Sequence, residues 1–162
     1  NKKGLLEILN AAARTPDHGK LVPWRFIVLQ EKTLSNLGKL VESIGLKDSI
    51  QEDKIAKARK QLEGGHLAVA VIEVQKPSDK IPDIEQTYSV GAVCLALLNA
   101  ALAAGWGANW LTGWHVYNKS FLKNGLKLKN NESIAGLIYL GTATITPPER
   151  PRPPLDEIVE WL

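Results

Sequence analysis

Apolar residues along this chain recur with two periods. Leu5, Leu6, Ile8, Leu9, Ala12 and Ala13 fall at helical spacing and predict an amphipathic helix over residues 4–14. The proline and glycine of Arg14-Thr15-Pro16-Asp17-His18-Gly19 then break it. Trp24–Leu29, aromatic and β-branched, reads as a strand. Thr33 stands where a cap is wanted for a helix carrying Leu34, Leu37, Leu40, Val41 and Ile44 on one face. Asp53–Leu62 reads as a basic, solvated helix or turn.

His66–Val74 is a continuous apolar run, the mark of a strand covered on both faces. A polar loop with Pro77 and Pro82 leads into a long helix from Glu85 to Ala104. Asn109–Thr112 predicts a short strand or turn, Tyr117–Leu126 a short helix, and Ser133–Gly141 a second buried strand. Beyond Thr142 five prolines crowd between Pro147 and Pro154, which no central strand tolerates, so residues 143–162 are expected to run extended over a surface, as tails on a partner subunit do. With no internal repeat and no linker, residues 1–162 form one domain.

No charged residue lies between Glu85 and His115, so a membrane span has to be weighed. Val90–Ala104 falls short of the roughly 20 apolar residues a span needs, and Gly105-Trp106-Gly107 closes it. A helix buried all round inside a soluble protein or dimer is the reading preferred. No signal peptide pattern opens the chain.

Composition narrows the class. The 162 residues are 44% hydrophobic and 23% charged, ordinary globular values. Cys94 is alone, so no internal disulfide forms and the cytoplasm is the expected compartment. The net charge of +3 is a small excess, compatible with an anionic ligand. The chain opens on Asn1 and holds no methionine, which suggests that an N-terminal segment precedes it and leaves open whether methionine positions are absent from the sequence as written.

Side-chain catalytic clusters are scarce. His18, His66 and His115 are far apart and in no ligand spacing, so no metal site is expected. Walker loop, nucleophile elbow and dinucleotide fingerprint are all missing, and Gly105-Trp106-Gly107 follows a helix rather than a strand. Cys94 in its apolar helix reads as a buried, inert thiol. The Arg14–His18 turn is different. It groups a guanidinium fork, an imidazole and backbone amides, a set able to hold a flat heteroaromatic ring rich in acceptors. A charged helix end followed by a plain loop reads the same residues equally well. Trp106, Trp110 and Trp114 fall four apart, but Gly105, Gly107 and Gly113 exclude a continuous helix there. Core packing is expected of two of them and ligand contact of Trp110, while Trp24 anchors its strand.

Ala13-Arg14-Thr15-Pro16-Asp17-His18-Gly19 followed by Pro23-Trp24-Arg25-Phe26 resembles the signature loop and strand of the FMN-dependent nitroreductase family, in its minimal, single-domain branch. Tyr88–Gly105 is similar to that family's central dimer helix, Asn109–Gly113 to its flavin-side strand and Leu137–Thr142 to its last core strand. The resemblance spans nearly the whole chain. It implies an α+β fold with a mixed central sheet flanked by helices, an intertwined homodimer, and FMN sites at the interface. It also implies NADH or NADPH as reductant and a small-molecule nitroaromatic or quinone acceptor, in a ping-pong reaction in which the flavin, not a side chain, is catalytic. By position, Arg14 and His18 would meet the flavin ring and ribityl chain, with Arg14 tuning it electrostatically. Trp110, Leu111 and Thr112 would line the ring's other side, Arg150 and Arg152 would face the phosphate, and Ala100, Ala101, Leu102, Ala103, Ala104 and Gly105 would mark the approach of the nicotinamide nucleotide. The family's Arg-Arg-Ser-like phosphate element stands about twenty residues before the loop, ahead of Asn1, and is expected in a segment that precedes the sequence given. Two other functions fit the sequence: a flavin protein of this fold without nitroreduction, and a binder of nucleic acid or anionic ligands using Lys54, Lys57, Arg59 and Lys60. Against the second, 17 acidic residues offset the basic ones. Neither nucleic acid nor membrane is therefore an expected partner.

Overall fold

The computed structural model describes residues 1–162. Five α-helices and four strands follow in the order α1 (Lys2–Ala12), β1 (Trp24–Gln30), α2 (Glu31–Lys47), α3 (Glu52–Glu63), β2 (Leu67–Val74), α4 (Asp83–Ala103), β3 (Gly107–Leu111), α5 (Lys119–Gly125) and β4 (Glu132–Gly141). The strands form one sheet in the order β1-β2-β4-β3. Every neighbouring pair is antiparallel, which corrects the expectation of a mixed sheet. The reason lies in the connections: α2 and α3 form a helical hairpin between β1 and β2, so β2 returns beside β1 in the opposite sense. The α+β class stands.

Alternation along the strands feeds two cores, one on each face of the sheet. Ala68, Ala70 and Ile72 of β2 meet Leu34, Leu37, Val41, Leu62 and Phe121 from α2, α3 and α5. Val69 and Val71 meet Ile8, Val93, Cys94 and Leu97 from α1 and α4. Two-sided burial explains why β2 reads as an unbroken apolar run. In β4, Ile134 and Leu137 lie three apart yet share the first core. A β-bulge at Ala135, where pairing slips between Val71 and Ile72, restores the face that strict alternation would have lost.

The helices start and stop near the expected residues. Thr33 is no cap, because α2 follows β1 directly and begins at Glu31, with no side-chain bond to its first amides. Residues 53–62 are not wholly solvated: α3 buries Ile55, Ala58 and Leu62. The helix expected to be buried all round is covered on one side only. α4 is long and apolar enough to cross a membrane by length and composition alone. Val90, Val93, Cys94, Leu97 and Ala101 pack inward, while Ile84, Tyr88, Leu95 and Leu102 are exposed in the single chain. Within α4 the buried Gln86 fastens the preceding loop through a reciprocal pair at 2.9 Å, accepting from the Lys76 amide and donating to its carbonyl. Residues 143–162 run over the outside, all exposed, with one turn of 3-10 helix at Leu155–Glu157.

Candidate functional site

α1 stops at Ala12, with Thr15 Oγ1 donating to its carbonyl at 2.8 Å. The chain then folds into a tight turn whose backbone is strained. Gly19, Lys20 and Val22 have φ of 70°, 56° and 49°. For a β-branched residue such as Val22 this left-handed conformation costs of order 1–3 kcal/mol. Gly19 suits this left-handed position, and a Cβ there would also push aside the end of the Ile81 side chain, 2.2 Å away at Cδ1. The turn is held by Asp17, whose carboxylate accepts the Val22 amide at 2.7 Å, and by His18, whose Nδ1 meets Glu85 Oε2 in the first turn of α4 at 2.6 Å. Arg14 is exposed and makes no side-chain hydrogen bond or ion pair, so its fork stands free for an anion or an acceptor-rich ring.

A second group gathers along the middle of α4. Trp110 projects from β3 on the α4 side of the sheet, paired with Ile138. With Thr112, Arg150 and the outer apolar residues Leu95, Leu98 and Leu102 it lines a cleft of about 740 Å³. A neighbouring cleft of about 890 Å³ shares Trp110 and Tyr117 and extends to Thr87, Gly91 and Lys129. Neither cleft includes Arg14 or His18. Leu111, next along the strand, faces the opposite side, so only its backbone adjoins the Trp110 side. Arg150 enters the cleft from the tail, whereas Arg152 pairs with Glu149. Of residues 100–105, Leu102 lines the cleft, Ala101 is fully buried in the core against α1, and Ala103, Ala104 and Gly105 are exposed. In the single chain Ala101 is a packing residue. The chain thus brings Trp110, Thr112, Arg150 and Leu102 together and holds Arg14 and His18 elsewhere, beside the start of α4.

The residues meet the demands of a flavin mononucleotide in kind. An indole offers a flat apolar wall for the ring, and Arg14 and Arg150 are free guanidiniums suited to acceptor oxygens and phosphate.

Three further groups have shifted titrations. Arg25 grips Glu132 with two bonds of 2.8 Å, and the Lys129 amide adds a third at 2.9 Å. These bonds hold the Glu132 carboxyl down to about 2. Cys94 is fully buried, and burial pushes its thiol up to about 12, which keeps it an inert thiol at neutral pH. His115 is fully buried between Trp114 and Phe121, both edge-on, with neither ring nitrogen partnered; burial lowers it to about 4, so it is neutral. Trp24, Trp106 and Trp114 pack against the two cores. The basic run on α3 is offset, Arg59 donating to Glu42 at 2.6 Å and to Glu63 at 2.9 Å. No group of three or more His, Cys, Asp or Glu side chains converges as a metal-binding set.

Sequence reasoning missed Glu85 and Gly136. Glu85 is 67 residues from His18, and Gly136 matters only because Trp110 lies on it; neither leaves a local signal.

The model of the nitroreductase family matches residues 2–142. A Haemophilus influenzae protein provisionally named an NAD(P)H nitroreductase is 31% identical over 143 residues, covering 88% of this chain and 77% of its own. Among solved structures, a nitroreductase-like family protein from Bacillus cereus superimposes with a TM-score of 0.81 at 24% identity, covering 100% of this chain and 85% of that one. A provisionally named nitroreductase from Desulfovibrio desulfuricans, solved with FMN, gives 0.77 at 18% identity, with coverage of 99% and 85%.

Proposed function

The chain belongs to the nitroreductase family, and from that premise we propose that it is a cytoplasmic, FMN-dependent oxidoreductase that works as a homodimer on small-molecule acceptors. FMN, when bound, would supply the redox chemistry, hydride acceptance from NADH or NADPH and two-electron delivery to a nitroaromatic or quinone acceptor in ping-pong order.

One observation supports this reading: two groups of side chains suited to a flavin lie along the chain's long helix without sharing a cleft. His18, in the loop that carries Arg14, meets the start of α4, and Trp110, Thr112 and Arg150 line a cleft beside its C-terminal half. Along its outer face α4 exposes Ile84, Tyr88, Leu95 and Leu102, an apolar stripe that a second copy would cover. Pairing two chains across that face would bring the loop of one copy to the cleft of the other, with the 143–162 tail lying on the partner.

Within such a site each side chain has a defined task. Trp110 offers its ring face as a wall, and Leu111 and Thr112 add backbone and hydroxyl groups at the ring's edge. Arg14 holds positive charge near the pyrimidine end, where reduction places negative charge. His18, with Nδ1 turned to Glu85, leaves Nε2 for the ligand. Arg150, with Arg152 further along the tail, faces the phosphate. The small side chains of Ala100, Ala103, Ala104 and Gly105 leave room beside Leu102 for the nicotinamide nucleotide.

Purified protein supplied with FMN tests the reading. Flavin that stays with the protein through desalting, is bleached anaerobically by NADH or NADPH and is recoloured by a nitroaromatic or quinone supports it. Retained flavin that no acceptor recolours supports a flavin protein without nitroreduction. Colourless protein that binds DNA in a salt-sensitive way supports the anion-binding alternative.

A further inference from the structure

Gly136 lies in β4 with neither a left-handed backbone nor a turn to require glycine. Its demand comes from another strand. A Cβ built on Gly136 would fall 2.1 Å from Trp110 Nε1, 2.7 Å from Cδ1 and 2.8 Å from Cε2. The indole therefore rests directly on the Gly136 backbone. Strand geometry explains how it arrives there. β3 pairs with β4 only over Leu137–Gly141, with Trp110 opposite Ile138, and Gly136 is two residues on, so it faces the same side. The ring reaches diagonally past the end of β3, over the part of β4 that has β2 on one side only. From α4, Gly91 lines the adjoining cleft, and a Cβ there would meet nothing within 4 Å. Trp110 lines both clefts, together with Tyr117 and Ala135.

We infer that Gly136 is the positioning residue for Trp110: the missing side chain seats the indole flat on β4 and so keeps the clefts wide enough for a planar aromatic ring. The ligand class rests on the flavin reading above. Trp110 is 38% exposed and has space beside it, so a methyl group at position 136 would lift the ring into the clefts rather than prevent folding. Displacement of about 1 Å at a ligand wall can cost up to a hundredfold.

The test is a double-mutant cycle on the full chain with Gly136→Ala, Trp110→Leu and the pair, reading FMN affinity by fluorescence quenching, the visible circular dichroism of bound FMN, and kcat against KM for the acceptor. Gly136→Ala is expected to weaken FMN roughly tenfold or more and to alter the flavin dichroism. In the Trp110→Leu background the same change is expected to have no additional effect, because the ring it displaces is gone. Native FMN affinity and dichroism in Gly136→Ala, or an equal penalty with and without the indole, overturns the inference. Should the unmutated chain take up no FMN, the flavin reading fails. The seating is then read from urea unfolding of the same four proteins: a loss from Gly136→Ala that vanishes with Trp110→Leu supports it, and additive losses overturn it.

Discussion

His18 and Glu85, 67 residues apart in the chain, meet through Nδ1 and Oε2 at 2.6 Å and so fasten the strained turn after α1 to the first turn of α4. Both side chains are substantially exposed, at 63% and 43%, and exposed pairs contribute only about 0–1 kcal/mol. Glu85→Ala is therefore expected to weaken FMN binding by no more than about fivefold, with the difference shrinking in high salt. Titrations of both proteins at two ionic strengths check this. A loss of a hundredfold or more would mean that Glu85 does more than hold the imidazole.

Arg14 makes no internal ion pair, so its removal should leave stability untouched and act on the ligand alone. Arg14→Ala is expected to lower FMN affinity by roughly tenfold to a hundredfold, as charge-assisted bonds are worth about 1.5–3 kcal/mol, and to slow anaerobic reduction in a single turnover. Arg14→Lys should recover only part, because an ammonium lacks the planar fork. Unaltered flavin content and reduction rate in Arg14→Ala would remove Arg14 from the site.

The Arg25–Glu132 pair ties β1 to the start of β4 across β2. Glu132 is almost wholly buried, so Glu132→Gln is expected to destabilise the fold by roughly 1–3 kcal/mol at pH 7, part of the arginine being able to reach water. The carboxyl titrates lower in the folded chain, about 2, than at its ordinary value of 4.5. Its contribution is thus complete above pH 4.5 and declines as pH falls toward 2. Urea unfolding of the wild type and Glu132→Gln should differ at pH 7 and converge at the acid end.

His115 gives an earlier acid response. Its ring titrates near 4 when folded against an ordinary 6.5, so the unfolded chain takes up the proton first. Stability is full above pH 6.5 and falls by roughly 3 kcal/mol as pH drops to 4. His115→Leu should keep most of the stability at pH 7 and flatten the curve between 6.5 and 4. An identical slope in both proteins would show that the ring is not buried neutral.

Much of this architecture is legible in the residue pattern. The two buried strands, the long apolar helix and the Arg14–His18 turn lie within a few residues of their expected places, because each is set by local periodicity or by proline and glycine. What the pattern hides is set by distant partners. Strand direction depends on whether residues 53–62 complete a helical hairpin, and the buried Ile55, Ala58 and Leu62 are diluted among lysines. The exposed half of α4 looks identical to its buried half in sequence, since both are apolar. Glu85 and Gly136 acquire meaning only from His18 and Trp110, which the fold brings to them.

If FMN lodges between two copies of this chain, sedimentation of the FMN-supplied protein, followed at the flavin's visible band, will show flavin absorbance moving with a species of twice the 17.8 kDa chain mass, at one flavin per chain. Flavin left behind at the meniscus while the protein sediments at 17.8 kDa would contradict it.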